Sequence, residues 1–301
     1  MARVAVIAGP TASGKTALAV ALARRVGGEI VNADSQQVYR GLDVGTAKPT
    51  AAARSAAVPH HLLDVVEPGE GMDAARFVAL ADAAIADVAA RGRVPVVAGG
   101  TGLYVRALLH GVVPAPGRDP ALRARLEEEA ARLGRPALHA RLRAIDPDAA
   151  ARIRPNDLVR IVRALEIAAG GVRPSELHAA HAFREDRHDA VLVALAPPRE
   201  ELHARIDARV REMFAGGILD EARALVARFG GDVPPKLPIA YAEAIAVVRG
   251  ALDLEEAIRR VQVAHRRYAR RQVIWLRRER GVAWIRPPYD VESLARRVER
   301  A

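Results

Sequence analysis

The octapeptide GPTASGKT places Gly9, Gly14, Lys15 and Thr16 at the spacing G-x-x-x-x-G-K-T, between the apolar run RVAVIA and the helix-forming run ALAVALARRVG. Glycines at these positions let backbone N–H groups close around phosphate oxygens, while a lysine neutralises them and a threonine hydroxyl can ligand Mg²⁺. Pro10, Thr11, Ala12 and Ser13 fill the rest of the loop. A strand before it and an Ala/Leu helix after it are the context this nucleotide-binding signature requires. The loop is therefore read as a phosphate site, and its ordinary occupant is ATP.

The rest of the chain argues against hydrolysis of a nucleotide. An NTPase carries an apolar strand ending in an acidic residue that reaches Mg²⁺ through water. The best candidate here, VPVVAGGTGLY, ends in Gly99, Gly100 and Thr101. A hydroxyl and a pliable backbone stand in place of the carboxylate, so the phosphates held at Lys15 read as a leaving group. A carboxylate comes instead from EIVNADSQQ, where Asp34 falls at the carboxyl end of a second strand. Parallel sheets put their chemistry at that end, and Asp34 there can take a proton from a nucleophile poised over the phosphates. Its alternative is a helix cap, a role that Ser35 could share.

The elements behind these residues alternate strand and helix through the first third: VAVIAG, a helix to about Val26, EIVNAD, the helical RFVALADAAIADVAARG, then VPVVAGG. This order predicts a parallel α/β sheet flanked by helices, with the P-loop at its first turn. From Pro114 to about Arg187 the periodicity is purely helical. Leu122, Leu126, Ala130 and Leu133 share one face, Leu138, Leu142 and Ile145 another, and Leu158, Ile161, Val162 and Leu165 a third. DAVLVALAPP resumes the strand pattern, and VAWIRPP is a last short strand. The expected organisation is a discontinuous core, residues 1–113 and 188–301, with an all-helical insertion over 114–187.

The 301 residues are 50% apolar, enough for a sizeable core. No cysteine is present, which excludes disulfides, zinc-thiolate sites and thiol chemistry. No run approaches the roughly 18 consecutive apolar residues of a membrane span, and the first residues enter a strand at once, so a cytoplasmic location without membrane partners is expected. The formal charge is +10, of which residues 259–301 carry +9. Paired arginines at helical spacing in HRRYARRQVIWLRRER suggest a polyanion partner; the alternative is a solvated terminal helix.

Six blocks, GPTASGKT, ADSQQVYRGLDVGTAKP, VPHHLLDVVEP, VVAGGTGLYVRALL, RIRPNDLVRIVRALE and RYARRQVIWLR, resemble the tRNA dimethylallyltransferases, in order and over nearly the whole chain. The resemblance implies transfer of a dimethylallyl group from dimethylallyl diphosphate to the exocyclic amino group of the adenine 3′ of the tRNA anticodon. It implies a diphosphate gripped with Mg²⁺ by Ser13, Gly14, Lys15 and Thr16. Asp34 becomes the general base, Thr101 a hydroxyl lining the same channel, and Arg123 and Arg209 cations near the departing diphosphate. An adenine in a stacked loop must be flipped to reach such a site. Ser35, Gln36 and Gln37 then form a base-reading edge. Arg160 and Arg163, one helical turn apart, become contacts to RNA phosphates, against an Arg163–Glu166 surface pair as the alternative. Around Tyr241, matched to an RNA contact, Ala240 and Ala242 replace the family's Gly and its Lys or Arg, and His265 stands where Thr is common. The chain is expected to act as a monomer. Two other readings are a P-loop kinase of a small hydroxylated metabolite, with Asp34 as base, and a nucleotide-switched RNA-binding module.

Overall fold

A computed structural model describes residues 2–50, 58–181, 183 and 185–300. Six strands, β1 (Arg3–Ala8), β2 (Glu29–Asn32), β3 (His60–His61), β4 (Pro95–Gly99), β5 (Asp189–Leu195) and β6 (Ala283–Ile285), form one sheet in the order β3-β2-β4-β1-β5-β6. Every neighbouring pair is parallel. Ala8 lies opposite both Gly99 and Ala194, so the carboxyl ends of β1, β4 and β5 share one edge. β2, β4 and most of β1 are buried throughout, as strands with both faces covered must be, and they read as continuous Val/Ile/Ala runs. The two-residue β3, His60–His61, has no apolar run of its own by which the sequence would mark it.

The chain divides into two compact units, Met1–Gly111 with Asp186–Ala301, and Val112–Glu185. In the first, α1 (Lys15–Val26), α2 (Ala74–Ala90) and α3 (Gly102–His110) each follow a strand, as parallel crossovers require. Residues 112–185 hold α4 (Pro120–Leu133), α5 (Arg135–Ile145), α6 (Pro147–Arg152), α7 (Leu158–Ala169) and α8 (Pro174–His181). Asp119 caps α4, with Pro120 at its first position, and Asp146 caps α6. Their core is Leu126, Ala130, Leu138, Leu142, Ile161, Val162 and Leu165, with Leu122 and Leu158 partly buried against it. Leu133 and Ile145, expected on that face, are 52% and 41% exposed, because each sits in the last turn of its helix, past the contact.

After β5 the first unit continues with α9 (Arg199–Ala215), α10 (Ile218–Phe229), α11 (Tyr241–Val248) and α12 (Leu254–Leu276), and α13 (Val291–Arg300) follows β6. Leu42, Val210, Phe214, Ile218, Tyr241, Ile258 and Val261 make a second core among α9 to α12. No helix among the described residues is long and apolar enough to cross a membrane.

Candidate active site

The P-loop turns from β1 into α1 with Ala12 at φ 61°, a left-handed conformation that non-glycine residues adopt only where the surroundings enforce it. Three contacts hold the turn. Ser13 N–H donates to Pro10 O at 3.2 Å, the Tyr289 hydroxyl donates to Ser13 O at 3.2 Å, and Thr11 N–H donates to Gln272 Oε1 at 2.8 Å. The other end of the Gln272 amide donates to Gly100 O at 2.9 Å, so one side chain from α12 ties the P-loop to the end of β4. Ser13 Oγ is fully buried and has no hydrogen-bond partner. A cleft of about 600 Å³ opens at this mouth, lined among others by Ser13, Gly14, Lys15, Thr16, His60 and Arg209.

Gly99 and Gly100 serve close packing rather than pliability. A Cβ on Gly99 would stand 2.2 Å from Ala33 O, and one on Gly100 would stand 2.1 Å from Gln272 Nε2. The residue after them, Thr101, donates its backbone N–H to Ala33 O at 3.3 Å. Its Oγ1 accepts from Ser35 N–H at 2.8 Å and donates to Ser35 Oγ at 3.0 Å. Thr101 therefore fixes the backbone on both sides of Asp34.

Asp34 is buried, and its two carboxylate oxygens have different surroundings. Oδ1 accepts from Gln36 N–H at 3.0 Å, the cap-like bond that the sequence offered as the alternative role. Oδ2 lies 4.0 Å from Lys15 Nζ. Burial pushes the Lys15 ammonium below its ordinary pKa, Asp34 pulls it back up, and Arg209 adds to the depression. Arg209 is likewise lowered by burial, opposed by Glu212 and Asp34. Lys15, Arg209 and Asp34 thus share one site, and Glu212 acts on Arg209 from the same helix.

Two further side chains from α12 enter this site. Burial depresses His265 to about 4, with Arg209 adding to the effect and Asp34 opposing it. The Tyr268 hydroxyl is pushed up by burial and by Asp34, while its hydrogen bonds to Thr101 and Ser35 act the other way. Neither residue, nor Gln272, was singled out as functional from the sequence. The signal was present: Val261, His265, Tyr268, Gln272 and Leu276 recur at helical spacing, so polar residues occupy the buried stripe of an amphipathic helix.

Several expected RNA contacts are engaged within the protein. Gln36 Oε1 accepts from Ile239 N–H at 2.9 Å, and Gln37 Nε2 donates to Thr46 O and Ala47 O at 3.2 and 3.1 Å. Tyr241, expected at the RNA interface, is instead 0% exposed, and its hydroxyl donates to Glu221 Oε2 at 2.6 Å. Glu221 also accepts from Asp43, Val44 and Gly45 N–H at 2.8, 2.8 and 3.2 Å, so this pair clamps the loop that follows the Asp34 segment. Ala240 adopts φ 88°, a conformation suited to the glycine it replaces.

In the helical unit, Arg123 donates through Nε and Nη2 to Glu166, whose carboxylate is 1% exposed. Arg163 Nη2 donates to Pro116 O at 2.8 Å, and Nη1 lies 3.7 Å from Glu166. Arg160 differs, with 72% of its side chain exposed and Asp157 at 3.5 Å. The basic C-terminal stretch also divides. Arg259 and Arg260 pair with Glu256, and Arg266 with Asp207. Arg267, Arg270 and Arg277 make no ion pair among the described residues, and with Arg199 and Arg286 they line a 1230 Å³ groove that Trp284 borders.

Comparison with known proteins agrees across sequence and structure. A family model described as IPP transferase matches residues 37–279, and one described as isopentenyl transferase matches residues 2–58. The tRNA dimethylallyltransferase of Anaeromyxobacter sp. (strain Fw109-5) is 85% identical over 99% of both chains. That of Myxococcus xanthus is 54% identical over 95% of this chain and 92% of its own. The crystal structure of the tRNA isopentenylpyrophosphate transferase from Bacillus halodurans is similar at 38% identity and a TM-score of 0.71, covering 100% of this chain and 95% of that one. A eukaryotic dimethylallyltransferase captured acting on tRNA is similar at 29% identity and a TM-score of 0.79, covering 95% of this chain and 74% of that one.

Proposed function

The chain belongs to the IPP transferase family, and on that premise we propose that it transfers a dimethylallyl group from dimethylallyl diphosphate to the exocyclic amino group of the adenine 3′ of the tRNA anticodon. The carrying observation is the pairing of a P-loop with a buried carboxylate 4.0 Å from its lysine, where the end of β4 is too tightly packed to hold an acidic side chain. This arrangement suits departure of a diphosphate better than hydrolysis of a nucleotide.

In the reaction the bond between the allylic carbon and the diphosphate oxygen breaks, and a bond from the adenine nitrogen to that carbon forms. The nitrogen loses a proton, which Asp34 Oδ2 accepts, since Oδ1 is committed to Gln36 N–H. Lys15 and Arg209 stabilise the negative charge that develops on the leaving diphosphate. Thr101 and Tyr268 position Asp34 through Ser35.

The donors at the loop suit a divalent cation shared with the substrate. The buried, unpartnered Ser13 hydroxyl and the Thr16 hydroxyl face a phosphate cradle, and Mg²⁺ takes few protein ligands when phosphates supply the rest. Thr16 would hold it. Such an ion supplies charge neutralisation of the diphosphate when bound.

For tRNA, the groove bearing Arg267, Arg270 and Arg277 offers unpaired cations to backbone phosphates, and Arg160 offers another on the helical insertion. Arg123 can meet an anion only by exchanging it for Glu166. Acting on tRNA as a single chain, the enzyme would work in the cytoplasm. The test is mass analysis of an anticodon stem-loop incubated with the protein, Mg²⁺ and dimethylallyl diphosphate. One added five-carbon unit on one adenine is expected; unchanged RNA mass, or phosphate transfer from ATP to a small metabolite, would refute the assignment.

A further inference from the structure

We propose that His265 is a further diphosphate-binding residue of this site, its Nε2 presenting an N–H to the departing diphosphate beside Arg209. The inference deepens the proposed reaction and rests on it for the identity of the anion.

His265 is 7% exposed, and its Nε2 is buried without a hydrogen-bond partner. Buried polar atoms in native proteins are nearly always paired, so an orphan near Arg209, which lines the cleft, points to a partner that arrives with the ligand. Packing fixes where the ring stands. Ala269, one turn after His265, packs with Ala12 of the P-loop and with Leu202 and Ile206 of α9, and Arg209 is one turn further along α9. The ring therefore stands one helical turn from the P-loop contact and within electrostatic reach of Arg209 and Asp34.

The surrounding charges select the kind of partner. Arg209 from α9 and Lys15 from α1 are cations, and Asp34 at the end of β2 is the one carboxylate acting on the ring; Glu212 is paired electrostatically with Arg209, and Tyr268 on α12 is neutral. Two cations beside the buried, unpartnered polar atoms of His265 and Ser13 suit an anion. Burial favours the neutral ring, which donates to an anion through whichever nitrogen carries the proton, and the buried, unpartnered Nε2 is the one assigned that role. Ser13 Oγ, the other unpartnered buried group of this site, has the same need. An anion between them satisfies both, and its charge favours protonation of the imidazole, so binding draws a proton into the site.

The experiment measures binding of dimethylallyl diphosphate and of inorganic diphosphate, each with Mg²⁺ and without RNA, by calorimetry from pH 7.5 to 5.5. Wild type is compared with His265→Ala, His265→Thr and His265→Gln, the last of which keeps a terminal N–H but cannot titrate. Affinity for both probes should fall 10- to 100-fold in the Ala and Thr variants and stay within about threefold of wild type in Gln at pH 7.5. Stem-loop affinity should be the same in all four. Lowering the pH should favour binding by wild type more than by His265→Gln.

Inorganic diphosphate binding within twofold of wild type by folded His265→Ala or His265→Thr would overturn the proposal, as would equal loss of diphosphate and RNA affinity. If neither variant folds, the pH comparison between wild type and His265→Gln decides, and parallel profiles overturn it. A wild-type protein that binds diphosphate through His265 but adds no five-carbon unit to RNA would instead defeat the proposed reaction and leave this contact standing.

Discussion

Lys15 Nζ lies 4.0 Å from Asp34 Oδ2, with each side chain 11% exposed. The gap is too long for a hydrogen bond, so the two charges attract without committing each other's polar atoms. The lysine can turn to a phosphate while the oxygen stays open to a nucleophile. Lys15→Ala should therefore lower single-turnover prenylation by roughly 10²–10³-fold, the usual worth of one donor to a developing anion. Diphosphate affinity should fall with it, and stem-loop affinity should survive. A folded variant that loses both affinities equally would contradict the division.

Tyr241 makes the opposite case, since the resemblance matches it to RNA contact and the structure buries it. Tyr241→Phe should cost about 1–2 kcal/mol of stability by taking one of the four donors from Glu221. Urea unfolding would show this, with tRNA affinity unchanged. A tRNA defect at full stability would return Tyr241 to the interface.

Acid should weaken the fold through His265. Its folded pKa, about 4, lies below the unfolded value near 6.5, so the unfolded state binds more protons between these limits. Stability from this group is therefore complete above about 6.5 and declines as pH falls towards 4, reaching a loss of about 2 kcal/mol at pH 5. His265→Gln removes that dependence. The difference in unfolding free energy between wild type and variant, measured at pH 7.5 and 5, should change by about this amount in the variant's favour.

The basic stretch reads in sequence as one face, but its arginines should not contribute alike. Arg267→Gln, Arg270→Gln and Arg277→Gln should each reduce the slope of log affinity for tRNA against log salt by about 0.7–0.9. Arg259→Gln and Arg260→Gln should change the slope less, because both guanidinium groups already share the Glu256 carboxylate. Equal slopes for all five variants would remove the groove from the RNA interface.

This difference marks where sequence stops being legible. Gly9 to Thr16, Asp34 and the strands that carry them are readable because loop, strand and helix periods are local properties of the chain. Whether an arginine is spent on a neighbour depends on contacts such as Arg266 with Asp207, 59 residues apart, which periodicity does not encode. The glycines after β4 show the same boundary. Their presence signalled a missing carboxylate, whereas their cause is the approach of Ala33 and Gln272, the latter 172 residues from Gly100. His265, Tyr268 and Gln272 were legible in part, as polar residues on an otherwise apolar stripe, but only packing reveals that this stripe lines the site.

Asp34 carries the sharpest prediction, because the structure gives its two oxygens separate work. In Asp34→Asn the amide oxygen can keep the bond from Gln36 N–H, so the turn survives, while the NH₂ group replaces the oxygen facing Lys15. The variant should therefore fold and bind diphosphate almost as wild type does, yet prenylate roughly 10²–10⁴-fold more slowly in a single turnover, the usual worth of general acid–base catalysis. The adenine amino group is a weak nucleophile, since its lone pair is delocalised into the ring, and it reacts only as its proton is drawn away or the allylic carbon gains cationic character. If the second route dominates, the carboxylate acts by charge and position, and the loss moves to the lower end of that range. The measurement uses a saturating stem-loop with diphosphate affinity determined separately. A rate equal to wild type would leave Asp34 as the cap of its own turn and nothing more.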